Sequence, residues 1–184
     1  MTVIEQERVD HRVDHEGETQ VRIDCPQRID LRRLTKPKGR MASVVRVMPG
    51  DGDNRLPLPA VSIAQLLLRP YYATIRVDGA FGAQTRAAVM AFQVRTHRRV
   101  TGMLGQDDWA ILCDRSTVTI GSRGNAVRAV QLLLNHRLPI GRQLVVDGVF
   151  GTGTSMTVKD VQRAAGLQPT GLVDRATYAA LLHA

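Results

Sequence analysis

No stretch of the chain approaches the ~20 consecutive apolar residues of a membrane-spanning helix, so no membrane partner is expected. The N-terminus is charged from Glu5 onward and has no apolar core of a signal peptide, so no export route is read there. Only two cysteines are present, Cys25 and Cys113, far apart and at unrelated places. That excludes a disulfide framework and a cysteine metal site, and it leaves Cys113 as a small apolar filler. The chain has no His-Glu-x-x-His, no Cys-x-x-Cys, no Gly-x-Ser-x-Gly and no phosphate-binding loop. Asp51 and Asp53 are spaced like part of a calcium loop, but no Glu stands at its twelfth position. No catalytic constellation, metal site or cofactor is therefore expected. Gly50-Asp51-Gly52-Asp53-Asn54 reads as a flexible linker.

What the chain does contain is a repeat, and a repeat divides a chain into units before any fold can be assigned. Val77-Asp78-Gly79-Ala80-Phe81-Gly82 returns as Val146-Asp147-Gly148-Val149-Phe150-Gly151, 69 residues later. The same offset of 69 pairs Gln93 with Gln162, Gly102 with Gly171 and Trp109 with Tyr178. Upstream, Gln65-Leu66-Leu67-Leu68 meets Gln131-Leu132-Leu133-Leu134 at an offset of 66, so copy two carries three extra residues within Arg137 to Leu144. Helical spacing puts Val61, Ala64, Leu67 and Leu68 on one face, and Val127, Val130, Leu133 and Leu134 on the matching one. Pro59 suits the first turn of a helix and Pro70 stops it. In the loop, Asp78 or Asp147 can accept bonds from the amides just ahead. Gly79 or Gly148 supplies a positive φ, Phe81 or Phe150 plugs the core, and Gly82 or Gly151 admits the next helix. A second pair of tight turns is expected at Gly102 and Gly171, and Asp174 reads as a better N-cap than Gly105. Copy one shows no counterpart of the glycines Gly121 and Gly124 that open copy two.

This order resembles the peptidoglycan-binding-domain-like family of small three-helix modules. It runs from a helix with Gln-Leu-Leu-Leu to Asp-Gly-x-Phe-Gly-x-x-Thr, then to a helix carrying Phe92-Gln93 or Val161-Gln162, a Gly and a last helix. The resemblance implies an all-α fold of two tandem three-helix modules, with bacterial peptidoglycan as ligand and no catalysis. The expected organisation is a poorly structured N-terminal tail and linker over 1–56, a first module over 57–116 and a second over 117–184. A different texture opens at Met41, and an alternative start there is one reading. The family module commonly accompanies a wall-cutting enzyme. Residues 1–56 are too short and polar to be one, so a separate wall-hydrolysing enzyme is the partner that the resemblance suggests.

The net charge is +8, and residues 61–184 carry 14 basic and 7 acidic residues, so the excess sits on the repeats. Such a surface suits acidic partners: an anionic wall polymer or nucleic acid. Arg95, His97, Arg98 and Arg99 cluster at the end of the second helix, and Tyr71 and Tyr72 follow Pro70. Tyr71, Tyr72, Arg95, Arg98 and Arg99 are the candidate ligand-binding residues, the tyrosines for stacking on sugars and the arginines for anions. The competing reading is a solvated helix end whose cations, including His97 and His136, complement the helix dipole. Two alternatives to wall binding stand beside it. One is a basic helical module for nucleic acid, opposed by the scattered placement of the cations. The other is a structural spacer in a phage particle or larger assembly. Localisation at the cell wall or outside the cell follows from the resemblance alone, with a phage-associated or cytoplasmic start as the alternative.

Overall fold

The computed structural model describes residues 46–182. Residues 1–45 of the tail and linker expected over 1–56, with the alternative start at Met41 and Cys25, lie outside the described residues. The described chain is all-α, with α1 (Ala60–Leu68), α2 (Ala83–Arg95) and α3 (Gln106–Asp114) in copy one. Copy two holds α4 (Asn125–Arg137), α5 (Thr152–Ala164) and α6 (Arg175–Leu182). Among the described residues, extended backbone pairs only in isolated bridges, and these come in equivalent twos. Val47 pairs with Leu104 as Val118 pairs with Val173, and Gly52 pairs with Ala80 as Arg123 pairs with Val149.

Those bridges correct the reading of Gly50–Asn54 as a flexible linker. The Gly50 N–H donates to the Phe81 carbonyl at 3.1 Å and Phe81 donates back to Asp51 at 2.9 Å. In copy two, Gly121 donates to Phe150 at 3.0 Å and Phe150 donates back to Ser122 at 2.9 Å. Gly50 is thus the missing counterpart of Gly121, and both have positive φ, 94° and 88°. The two copies stand 71 residues apart here and 66 apart at Gln65, so copy one carries five extra residues before that glutamine. The residue just before the insertion caps α1. The Asp53 carboxylate accepts the Val61 N–H at 2.8 Å and the Ser62 N–H at 3.2 Å. Pro59 itself sits at the N-cap, one residue earlier than expected. Val47 is fully buried, so the chain is packed into the core well before α1 begins.

The loops after α1 and α4 are held by two buried glutamines. The Gln65 carbonyl accepts the N–H groups of Asp78 and Gly79, both at 3.0 Å. Its amide donates to Asp78 Oδ1 at 2.8 Å, to the Ala80 carbonyl at 3.0 Å and to Thr85 Oγ1 at 3.0 Å. Gln131 does the same in copy two, accepting from Gly148 at 2.9 Å and donating to Asp147 Oδ1 at 2.8 Å. The turns after α2 and α5 repeat this design. Gln93 accepts from Thr101 at 2.9 Å and Gly102 at 3.0 Å, and Gln162 accepts from Gly171 at 2.9 Å. All four glutamines are buried. A bare buried amide costs about 1–3 kcal/mol per unmade bond, so each side chain is stable inside only because the loop saturates it. The glycines are needed where the loop crosses the left-handed region: Gly79, Gly102, Gly148 and Gly171 have φ between 69° and 77°.

Local features expected from the sequence are present. Asp78 accepts from the Ala80 N–H at 3.0 Å and Asp147 from Val149 at 2.8 Å. Phe81 and Phe150 are buried, and Gly82 and Gly151 are the N-caps of α2 and α5. Asp174 caps α6 by accepting the Thr177 N–H at 2.9 Å. At α3 the absent side chain of Gly105 is compensated by Asp108, which reaches back to the Gly105 N–H at 3.0 Å. His97 lies in the left-handed region with φ 53°, where copy two has Gly166 with φ 72°. Each lets the following residue's N–H donate to the backbone carbonyl of a buried glutamine, Arg98 to Gln93 and Leu167 to Gln162, both at 2.8 Å. Its backbone therefore turns the chain out of α2, beyond the dipole role expected of its side chain.

The two copies share one core. α1 packs on its own equivalent α4, and α3 packs on its equivalent α6. Like elements meeting like elements is the arrangement of an isologous dimer, here inside one chain. α1 is buried at eight of its nine positions because it faces both copies. At the α3–α6 contact, Tyr178 of copy two donates to the Ser116 carbonyl at 3.0 Å, and Arg175 pairs with Asp114. Burial there pushes the Cys113 thiol up to about 12, with Asp114 next to it adding in the same direction. The Tyr178 phenol is likewise pushed well up by burial. Cys113 is a buried free thiol, as its filler role requires.

Because the core is continuous, the described portion should unfold in a single urea transition reported alike by Trp109 fluorescence in copy one and helical circular dichroism. Gln131→Leu should lower its stability by about 1–3 kcal/mol, since it strands the buried Gly148 N–H and takes the donor from the Val149 carbonyl. Two separate transitions, or a neutral Gln131→Leu, would contradict the shared core or the clamp.

Acid stability follows from the loop carboxylates. The Ala80 amide and then the Gln65 side chain hold Asp78 below its ordinary value, and the Gln131 side chain and then the Val149 amide do so for Asp147. A folded-state value below the unfolded one adds stability above the unfolded value, here 3.8, and that stability is lost as pH falls through the folded value. Thermal midpoints should therefore drop below about pH 4, and Asp78→Asn with Asp147→Asn should flatten that drop.

Candidate functional site

Two surfaces can meet a ligand. The first gathers part of the cluster expected from the sequence. After α1 ends, the Tyr71 and Tyr72 amides both donate to the Leu68 carbonyl, at 2.9 and 3.0 Å, which folds the pair back on the bundle. Both rings are half-buried and rest on the core. Tyr71 meets Phe92 edge to face, with centroids 5.0 Å apart at 79°. The Arg95 guanidinium lies over the Tyr71 ring, 5.6 Å from its centre, in a cation–π geometry. Tyr71 and Arg95 thus form one unit, with the tyrosine body in the core and the arginine on the surface.

The rest of the cluster divides. Arg98 is paired at the surface, donating from Nη2 to Asp107 at 2.8 Å, with its Nε 3.8 Å from Asp108. It ties the end of α2 to the start of α3, so its charge is compensated at home. Arg99 is exposed and stands one residue beyond that pair. The carboxylates Asp78 and Asp147 accept bonds inside their own loops, and each is bound by the neighbouring glutamine. Among the described residues no three His, Cys, Asp or Glu side chains gather as metal ligands, and no helix is long and apolar enough to cross a membrane.

The second surface had no signal in the motifs. A cleft of about 300 Å³ opens between the two copies. Asp53, Leu56, Leu58 and Pro59 form one wall, and Leu132, Asn135, His136 and Gln143 form the other. The first wall comes from the five-residue insertion of copy one and the residues on either side of it, Asp53 and Pro59. The second includes Gln143, from the three-residue insertion of copy two. Asn135 is used in holding that insertion: it donates to the Leu144 carbonyl at 2.8 Å and accepts the Leu144 N–H at 2.7 Å. The trace of this cleft in the sequence is the loss of register itself, since both breaks in the repeat meet at one place.

Comparison with known proteins agrees with this architecture. The family of peptidoglycan binding domains matches residues 58–112 and, a second time, residues 123–181. A zinc D-Ala-D-Ala carboxypeptidase of Streptomyces albus G is 39% identical over 62 residues, which is 34% of this chain and 24% of that enzyme. The chain therefore spans about a quarter of the length of the curated relative it matches. No solved structure matches the chain. With both copies matched and six helices in two equivalent sets, the chain belongs to the peptidoglycan binding domain family, of which it carries two tandem members.

Proposed function

We propose that the chain attaches to the bacterial cell wall by binding peptidoglycan, without catalysis of its own, and so targets or anchors whatever it accompanies. The observation that carries this is the match of both copies to a family of binding domains. A separate wall-hydrolysing enzyme is the proposed partner, and the similar stretch within a carboxypeptidase is in keeping with such a pairing of module and enzyme. Charge supports the same reading: an excess of +7 over residues 61–184 suits an anionic wall. On copy one, Tyr71, Tyr72, Arg95 and Arg99 are the contacts to sugar and anion. Arg98 belongs with them in sequence but contributes by fixing the end of α2 through Asp107.

Co-sedimentation with purified sacculi, set beside DNA retardation at matched salt, tests the proposal. The chain should sediment with walls and leave DNA unshifted at physiological salt. Wall binding should weaken from low to physiological ionic strength, because exposed charges are screened beyond a Debye length of about 8–10 Å. Arg95→Ala with Arg99→Ala should weaken it several-fold and flatten the salt dependence. Retardation of DNA without wall binding would replace this reading by the nucleic-acid one, and binding to neither would favour a spacer.

A further inference from the structure

The cleft between the copies has a composition unlike the rest of the surface. Among the described residues no Lys or Arg lines it, and Asp53 is its one carboxylate. Asp53 caps α1 through both oxygens, Oδ1 accepting the Val61 and Ser62 N–H groups and Oδ2 a longer bond from Ser62 at 3.3 Å, and a carboxylate with about four acceptor sites keeps one for a further donor. The floor is aliphatic, from Leu56, Leu58, Pro59 and Leu132. Gln143 and His136 add polar groups at the opposite wall. Among the described residues no Phe, Tyr or Trp lines the cleft, so it offers none of the large rings on which a sugar face stacks. An aliphatic trough ending at a carboxylate, with amide partners beside it, is complementary to an alkyl chain that ends in an ammonium.

Resting on the wall-binding reading above, we propose that this cleft receives the diamino-acid side chain of an uncrosslinked peptidoglycan stem peptide. The methylenes lie over Leu56, Leu58, Pro59 and Leu132, the ammonium meets Asp53, and Gln143 faces the peptide amides. A crosslinked stem has that amine converted to an amide, which carries no charge for Asp53 and adds bulk at the end of the trough. The cleft therefore distinguishes open strands from crosslinked ones. It requires both copies, because each supplies one wall, and it requires both insertions, because they shape those walls. Copy number here serves to build a composite site between modules, in addition to any gain from having two of them.

The test titrates the full chain with two synthetic stem peptides. One carries a free lysine amine at its third position, and the other is the same peptide with that amine acetylated. The free-amine peptide should bind at least about tenfold more tightly, the size of one partly exposed charged hydrogen bond. Its amide shifts should centre on Leu132, His136 and Gln143. Asp53→Asn, which keeps an acceptor oxygen for the helix cap, should remove the preference for the free amine while the circular dichroism stays unchanged. Equal affinity for the two peptides, no binding of either, or shifts centred elsewhere would overturn the cleft proposal. Sedimentation with sacculi judges the wall reading separately: a chain that pellets with walls but ignores the amine binds them through another surface.

Discussion

Each turn that follows the first and second helix of a copy runs through the core boundary without a sheet to receive its amides. A buried glutamine takes the sheet's place. Its carbonyl accepts one or two loop N–H groups, and its amide donates to loop carbonyls and to a neighbouring hydroxyl or carboxylate. Gln65, Gln93, Gln131 and Gln162 do this at four equivalent points. The clamped segments are alike as well: Asp78-Gly79-Ala80-Phe81, Thr101-Gly102-Met103-Leu104 and their copies. In each, the first side chain accepts from the amide two residues on, the glycine turns left-handed, and the fourth residue enters the core. The net value of one such bond is modest. The cost of leaving several of them unmade in a buried place is not, and that asymmetry makes each glutamine hard to replace.

From this constraint the arrangement of the copies follows. Loops held firmly in place leave the outer faces of α1 and α4 free to meet, and these faces are aliphatic enough to merge into one core. The first helix is then buried almost all round, which is why its sequence is nearly continuous in apolar residues. The pairing of like with like makes the two copies approximately symmetric, and the two insertions break that symmetry on one side. Divergence between the copies is thus concentrated where they jointly line a cleft, while the clamps are kept in both.

Much of the fold was legible in the sequence, and the physical reasons for the rest are specific. The repeat, the turns at Gly79 and Gly148, the plugs Phe81 and Phe150 and the cap at Asp174 follow from local chemistry. Gly50 and Asp53 were read as linker because five inserted residues shift the offset from 71 to 66 and hide their counterparts Gly121 and Gly124. The glutamines were visible as repeated letters, but a single polar residue in an apolar run does not disclose that a loop will fold over it. Of the candidate contacts, Tyr71 and Arg95 meet as one unit, whereas Arg98 is paired at the surface with Asp107, a partner nine residues away that no helical spacing predicts. The cleft was illegible because it belongs to neither copy and arises only from their packing.

Native-state hydrogen exchange tests the central claim most directly, because it reads each clamped amide separately. If the glutamine clamps are part of the global core, the N–H groups of Gly79, Gly102, Gly148 and Gly171 should exchange only through whole-molecule unfolding. Their opening free energies should then equal that of core amides in α1 and α4, although all four lie in loops. Exchange of these glycines at rates typical of surface loops, far faster than the helix cores, would show that the clamps open locally and do not hold the fold.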